Sequence, residues 1–296
     1  MAKMVARETW TMKSRSGRGW TWLVASLAVV ATLFGVPHVA SAASDGPGSL
    51  ARSTAGSTMT VDHGAFDKLL KAYVVPGKDG INRVDYPRFR SEGLASLKGY
   101  LMAMQGVDPT RLGPAEHFAY FANLYNAATL DVVLEHYPVK SIKAVRLADA
   151  SGSLYDGPWK TKLASVNGIR ISLDEIASDI LRPSFNSRDP RGHYLLNCLS
   201  IGCPNLLPEA ITGAKLEAQL ESSTKAFVTH PRGVSVTAGK IKSSSLYSWY
   251  ESDFGGTAGV IAHMAKFGGP ELAKQLAGIS AIAEHDYDWG LADATR

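Results

Sequence analysis

Cysteine is nearly absent: the 296-residue chain has two, Cys198 and Cys203. Two cannot make the disulfide framework that holds many small secreted domains together. They allow one local bridge, or one reactive thiol with a neighbour. A Gly-rich phosphate loop is also missing. So is a metal-ligand set, because Cys-x4-Cys with one nearby histidine lacks the tight pairs of structural zinc sites. No cofactor is therefore expected. Neither a repeat nor an internal linker breaks residues 61–290. An excess of one charge is lacking as well, once the N-terminal segment is set aside. The chain has 31 basic and 27 acidic residues, and residues 1–42 hold five of the former and one of the latter, leaving 26 of each. A neutral remainder has no cationic field to attract nucleic acid or anionic lipid. Nucleic acid is excluded as a partner, and a membrane is expected only during export. The expected ligand is a small-molecule or peptide-like compound.

The export expectation rests on residues 1–42. Lys3, Arg7, Lys13, Arg15 and Arg18 make a basic, acid-poor start, and an apolar stretch follows over residues 20–36. Pro37 and the small run Val39-Ala40-Ser41-Ala42-Ala43 come next. Ala40 and Ala42 suit the −3 and −1 pockets of a signal peptidase, so a Sec-type signal peptide cleaved after Ala42 is predicted. The location is then periplasmic or secreted. Met12 is an alternative start. The competing reading is an uncleaved anchor, for which the apolar stretch is short. Arg15 and Arg18 are not adjacent, so the twin-arginine route is not indicated.

Residues 43–60, rich in Ser, Gly, Ala and Thr, read as a flexible linker. Phe66, Leu69, Leu70 and Tyr73 then recur at helical spacing, stopped at Pro76-Gly77. A second helix is predicted over 86–104. The strongest covers 114–137, where Phe118, Phe121, Ala122, Tyr125, Ala128, Thr129, Val132 and Val133 form one stripe between Pro114 and Pro138. Strands at 162–166 and 169–172 flank Asn167-Gly168, a strong hairpin signal. Ser172 with Glu175 makes a capping box for a helix to about 181. A short buried strand is expected at 193–197, a loop at 199–207 and a long helix at 208–228. A second hairpin turns at Ala238-Gly239, and helices near 257–267 and 270–277 follow. The whole reads as one α+β domain, mostly helical, with short strands and hairpins.

The densest polar segment in an apolar setting runs from Arg191 to Pro204. His193, Asn197, Cys198 and Cys203 could supply a base, an amide donor and a thiol nucleophile. As a strand, 193–197 would put His193 and Cys198 on opposite faces, so they meet only if the chain turns at Cys198. The cysteines have three states open to them: a disulfide, a functional thiol, or buried inert thiols. Asn123, Tyr125 and Asn126 on the core helix could form a polar shelf for substrate, or a structural network, since buried amides need partners. The run His285-Asp286-Tyr287-Asp288-Trp289 could line a sugar or peptide cleft, or pack as a terminal anchor. His63, His136, His230 and His263 are isolated and expected at the surface.

These segments resemble the family of the domain of unknown function numbered 547. The resemblance is carried by Phe118 through Ala127 with its Asn-Leu-Tyr-Asn-Ala core, by Leu173-Asp174-Glu175-Ile176 with Ile180-Leu181-Arg182, and by His193 through Pro204 with both cysteines. Trp249-Tyr250-Glu251-Ser252-Asp253-Phe254 and Tyr287-Asp288-Trp289 complete it, so that the domain would span 61–296. The resemblance implies an exported protein and a distant relation to papain-like thiol hydrolases. One departure is visible: Ala177-Ser178 stand where the family has Glu-His. If that pair serves as base and orienter in relatives, this chain is altered or inactive as a catalyst. Two functions compete. One is a thiol-dependent hydrolase or acyl-transfer enzyme on peptide-like or cell-envelope material. The other is a non-catalytic binding or assembly domain with a structural Cys198–Cys203 bridge.

Overall fold

Pro114 fits the first turn of a helix, where its missing N–H costs nothing, and Pro138 cannot prolong one. Between them a single helix runs from Pro114 to His136 in the computed structural model, which describes residues 46–149, 151–184 and 189–296. The expected secretory signal lies outside these residues. The spacing predicts one apolar stripe, but residues 116–130 are buried on every side of the helix. Helix Leu94–Gln105, the π turn Ile176–Leu181 and the 3-10 turn Gly213–Lys215 all pack against it. A helix so enclosed must satisfy its own polar side chains inside the core.

The described residues form one α+β domain, mostly helical, with short strand pairs. Phe66, Leu69, Leu70 and Tyr73 are buried along helix Gly64–Tyr73, as their spacing predicts. The second expected helix is continuous but passes through a π turn at Phe89–Gly93. Strands Lys162–Val166 and Ile169–Ser172 pair antiparallel, and Asn167 and Gly168 both take the positive φ that such a tight turn demands. The Ser172–Glu175 capping box is complete. The second hairpin, Val234–Thr237 with Lys240–Ser244, gains a third strand, Ile282–Asp286, lying parallel to Lys240–Ser244.

Four expectations need correction. The segment 193–197 is not a strand: Pro190–Leu195 is a 3-10 turn. Asp189 accepts the Arg191 N–H at 3.0 Å, and Pro190 sets φ for a turn, so the chain coils before it reaches His193. The helix expected from 208 begins at Gly213, because Asn123 takes both the N–H and the C=O of Ile211. The described part of 43–60 is seated on the domain: Pro47–Ala51 is a 3-10 turn with Leu50 buried, and Leu50 O bonds the His117 ring at 2.7 Å. His63 and His263 are not surface residues. His63 is buried against Tyr100 and His263 meets Tyr194.

Two apolar clusters make up the interior. The larger surrounds the helix Pro114–His136. The smaller gathers Phe227, Tyr247, Val260, Met264 and Phe267. The turn Pro190–Leu195 is their seam, since Tyr194 enters the smaller cluster and its neighbour Leu195 the larger. Locked on both sides, this turn fixes the loop that follows it.

Candidate functional site

Beyond the seam, residues 197–205 form a loop whose shape is set by polar contacts. Asn126, from the core helix, donates to Leu195 O at 2.9 Å and accepts the Asn197 N–H at 2.8 Å. The Asn197 amide donates to Pro204 O, closing the loop, and accepts the Leu199 N–H at 2.6 Å. That last bond holds Leu199 at φ 61°, a conformation that costs a branched side chain energy. The C-terminal tail runs alongside. Ile201 N–H donates to Gly290 O and Gly202 N–H to Asp288 O, each at 2.8 Å, while Leu199 O accepts from Ala292. Gly202 is required here, because a Cβ would stand 2.9 Å from Asp288 N.

Of the three states open to the cysteines, the structure has the disulfide Cys198–Cys203, with Cα atoms 6.1 Å apart. Both line a cleft of about 410 Å³, within the range of roughly 300–1,000 Å³ usual for small-molecule sites. Its walls are aromatic: Tyr125, Trp159, Trp249, Tyr250, Tyr287 and Trp289, with Asp174, Ala177, Ser178 and His193 among the remainder. The rings are continuous. Trp289 lies 5.7 Å from Trp159, 5.6 Å from Trp249 and 4.7 Å from Tyr287, centroid to centroid. Trp249 is half exposed, so one side of this wall is open to solvent.

His193 joins the wall from the seam. Its ring stacks on Tyr250 at 3.9 Å, and its Nε2 bonds Asp253 Oδ2 at 2.8 Å. Arg182 ion-pairs with the same carboxylate. Burial works to raise the Asp253 pKa, but the hydrogen bonds from Arg182 and His193 outweigh it and the net shift is downward. An ionised carboxylate only accepts, so Nε2 carries the proton. Burial lowers the His193 pKa against the pull of Asp253, which favours the neutral ring and leaves Nδ1 as an acceptor. Asp174 is shifted the other way: burial raises its carboxyl, with Lys160 opposing. The Tyr287 hydroxyl lies 3.1 Å from each sulfur. Burial raises its pKa far above the ordinary phenol range, so it remains a donor.

Of the residues expected at the site, His193, Cys198, Cys203 and Tyr125 line the one cleft. Asn197, Asn123 and Asn126 do not. Their amides are buried and spent on backbone groups, which makes them scaffold rather than oxyanion donors or a substrate shelf. The spacing argument missed Asp253, Asp174, Trp159 and Trp249. Tyr287 and Trp289 had a signal in the acidic-aromatic run near the C-terminus, and they form part of the cleft wall. Residues 109–228 match the family model described as "Protein of unknown function, DUF547". No curated protein and no solved structure matches the chain. Helix Pro114–His136 and the cysteine loop both lie inside the matched segment, and over it the chain belongs to the DUF547 family.

Proposed function

We propose that this is an exported binding protein whose aromatic cleft takes a glycan-like ligand from the cell envelope. The single observation that carries the reading is the continuous wall of Trp159, Trp249, Trp289 and Tyr287 around an open cleft. The C–H face of a sugar ring carries partial positive charge and rests well on the negative face of an indole. The Asp174 carboxyl adds a hydrogen-bonding group of the kind that orients a ligand by its hydroxyls. Export rests on the basic, apolar and small-residue succession over residues 1–42. Catalysis is the weaker reading. Ala177 and Ser178 put a methyl and a hydroxyl on the cleft wall where the family resemblance implies Glu-His. The sulfurs are bonded to each other, so neither is a nucleophile in this state. A thiol-dependent hydrolase is favoured by one observation only: Asp253 orients His193 on the wall that also holds the sulfurs.

Tryptophan fluorescence tests the binding reading. Chito-oligosaccharides titrated into the purified protein should quench emission saturably. Trp249→Ala should weaken the affinity at least tenfold while leaving the fold intact. A short envelope-type peptide serves as the comparison. Saturable binding of the peptide alone, or of neither probe, would overturn the glycan assignment.

A further inference from the structure

We propose that Cys198–Cys203 is an exchange-competent redox bond, opened by a small-molecule or peptide thiol that enters the aromatic cleft, with Cys198 taking the mixed disulfide and Cys203 leaving as thiolate. Three observations support this. First, the bond is redundant as a staple. Asn197 already ties the loop across its base to Pro204, Arg232 Nη1 holds Ile201 O at 3.1 Å, and the tail holds Ile201 and Gly202. Second, both cysteines, although buried, line the wall of the open cleft, the face from which a thiol would approach. Third, the two sulfurs are unequally supported. Cys203 Sγ accepts the Cys198 N–H at 2.9 Å and faces the Tyr287 hydroxyl at 3.1 Å, whereas Cys198 Sγ has only the hydroxyl. Hydrogen bonds to sulfur favour its anionic form, so Cys203 is the better leaving group.

Arg232 braces the loop on both sides of Cys203 in the sequence. It reaches Ile201 O and, at 2.7 Å, Asn205 Oδ1. Its Nε is buried without a hydrogen-bond partner, and its guanidinium lies 5.6 Å from the Phe227 ring centroid. Burial pushes its pKa down to about 10, which leaves it charged at neutral pH. The other ionisable groups lining the cleft with the cysteines are Tyr125, Asp174, His193, Tyr250 and Tyr287, of which the Tyr287 hydroxyl meets the sulfurs.

The chemistry balances without a further reactant. An incoming thiolate bonds to Cys198 Sγ, the Cys198–Cys203 bond breaks, and its electron pair goes to Cys203. A second thiolate then attacks the entering sulfur and releases Cys198, giving the external disulfide and the protein dithiol. The test treats the oxidised protein with glutathione and, separately, dithiothreitol at pH 7 without denaturant. Limiting iodoacetamide at pH 6 follows, with the labelled site located by peptide mass mapping. The expected result is native-state reduction within minutes, with Cys203 labelled at least tenfold over Cys198. The conservative Tyr287→Phe variant should slow Cys203 labelling several-fold. A bond that yields only after unfolding in urea, or labelling that favours Cys198 or neither sulfur, would overturn the proposal. Oligosaccharide binding measured on the same samples reports on the cleft separately, so failure of one reading is distinguishable from failure of the other.

Discussion

Both ends of the Asn126 amide are taken by backbone, at Leu195 O and Asn197 N, so truncating the side chain strands two groups inside the protein. An unsatisfied buried group costs about 1–3 kcal/mol. Asn126→Ala should therefore lose roughly 2–6 kcal/mol in urea unfolding, and the folded fraction should bind ligand less well because the cysteine loop loses its tether to the core helix. An unchanged midpoint would contradict that account. The sequence shows that a buried Asn needs partners, but it cannot show which. The bonds from Asn123 and Asn126 reach 88 and 69 residues along the chain. The same distance hid Asp253, which is 60 residues from the histidine it orients. Isolated histidines mislead for a related reason. His63 and His263 show no histidine-binding pattern in the sequence around them, yet each is received by a tyrosine hydroxyl from another element, Tyr100 and Tyr194.

Among the elements, those with local rules were legible. The Asn167-Gly168 and Ala238-Gly239 turns, the Ser172 cap and the proline-bounded core helix are all specified within a few residues. The non-helical stretch before Gly213 was not, because the distant Asn123 decides it, while the turn Pro190–Leu195 had a local Asp189-Pro190 start that the strand-like pattern of 193–197 obscured. The loop 197–205 was legible as a loop and illegible as a built object. Its shape depends on a core helix, the Arg232 side chain and the C-terminal tail together. That gives an ordering of stabilities. Closing a loop as short as 198–203 by a disulfide contributes about 2 kcal/mol at most, and less where the loop is already held. Adding a methyl at Gly202 forces the Asp288 backbone away and costs about 1–3 kcal/mol. The double variant Cys198→Ser, Cys203→Ser should thus stay folded and lower the melting temperature less than Gly202→Ala does. The reverse order in calorimetry would mean the sulfurs, not the polar contacts, hold the loop.

Taken over the whole molecule, the buried histidines set an acid limit. His63, His117 and His193 are lowered mainly by burial, and His263 is lowered to about 4 from an ordinary 6.5. The unfolded chain binds protons that these native side chains refuse, so stability rises with pH across that interval. It is fully present above about 6.5 and is lost as pH falls from there towards about 4. At about 1.4 kcal/mol per pKa unit, His263 alone accounts for roughly 3 kcal/mol. Asp131 and Asp174, raised by burial, oppose the trend. They are two groups against four, and Lys98 and Lys160 temper their shifts. The urea midpoint should therefore drop steadily between pH 7 and pH 4.5. His263→Gln, which can still meet the Tyr194 hydroxyl but cannot titrate, should flatten that slope at a small cost at pH 7. A variant with the wild-type slope would remove His263 from the account and shift the acid sensitivity to His63, His117 and His193.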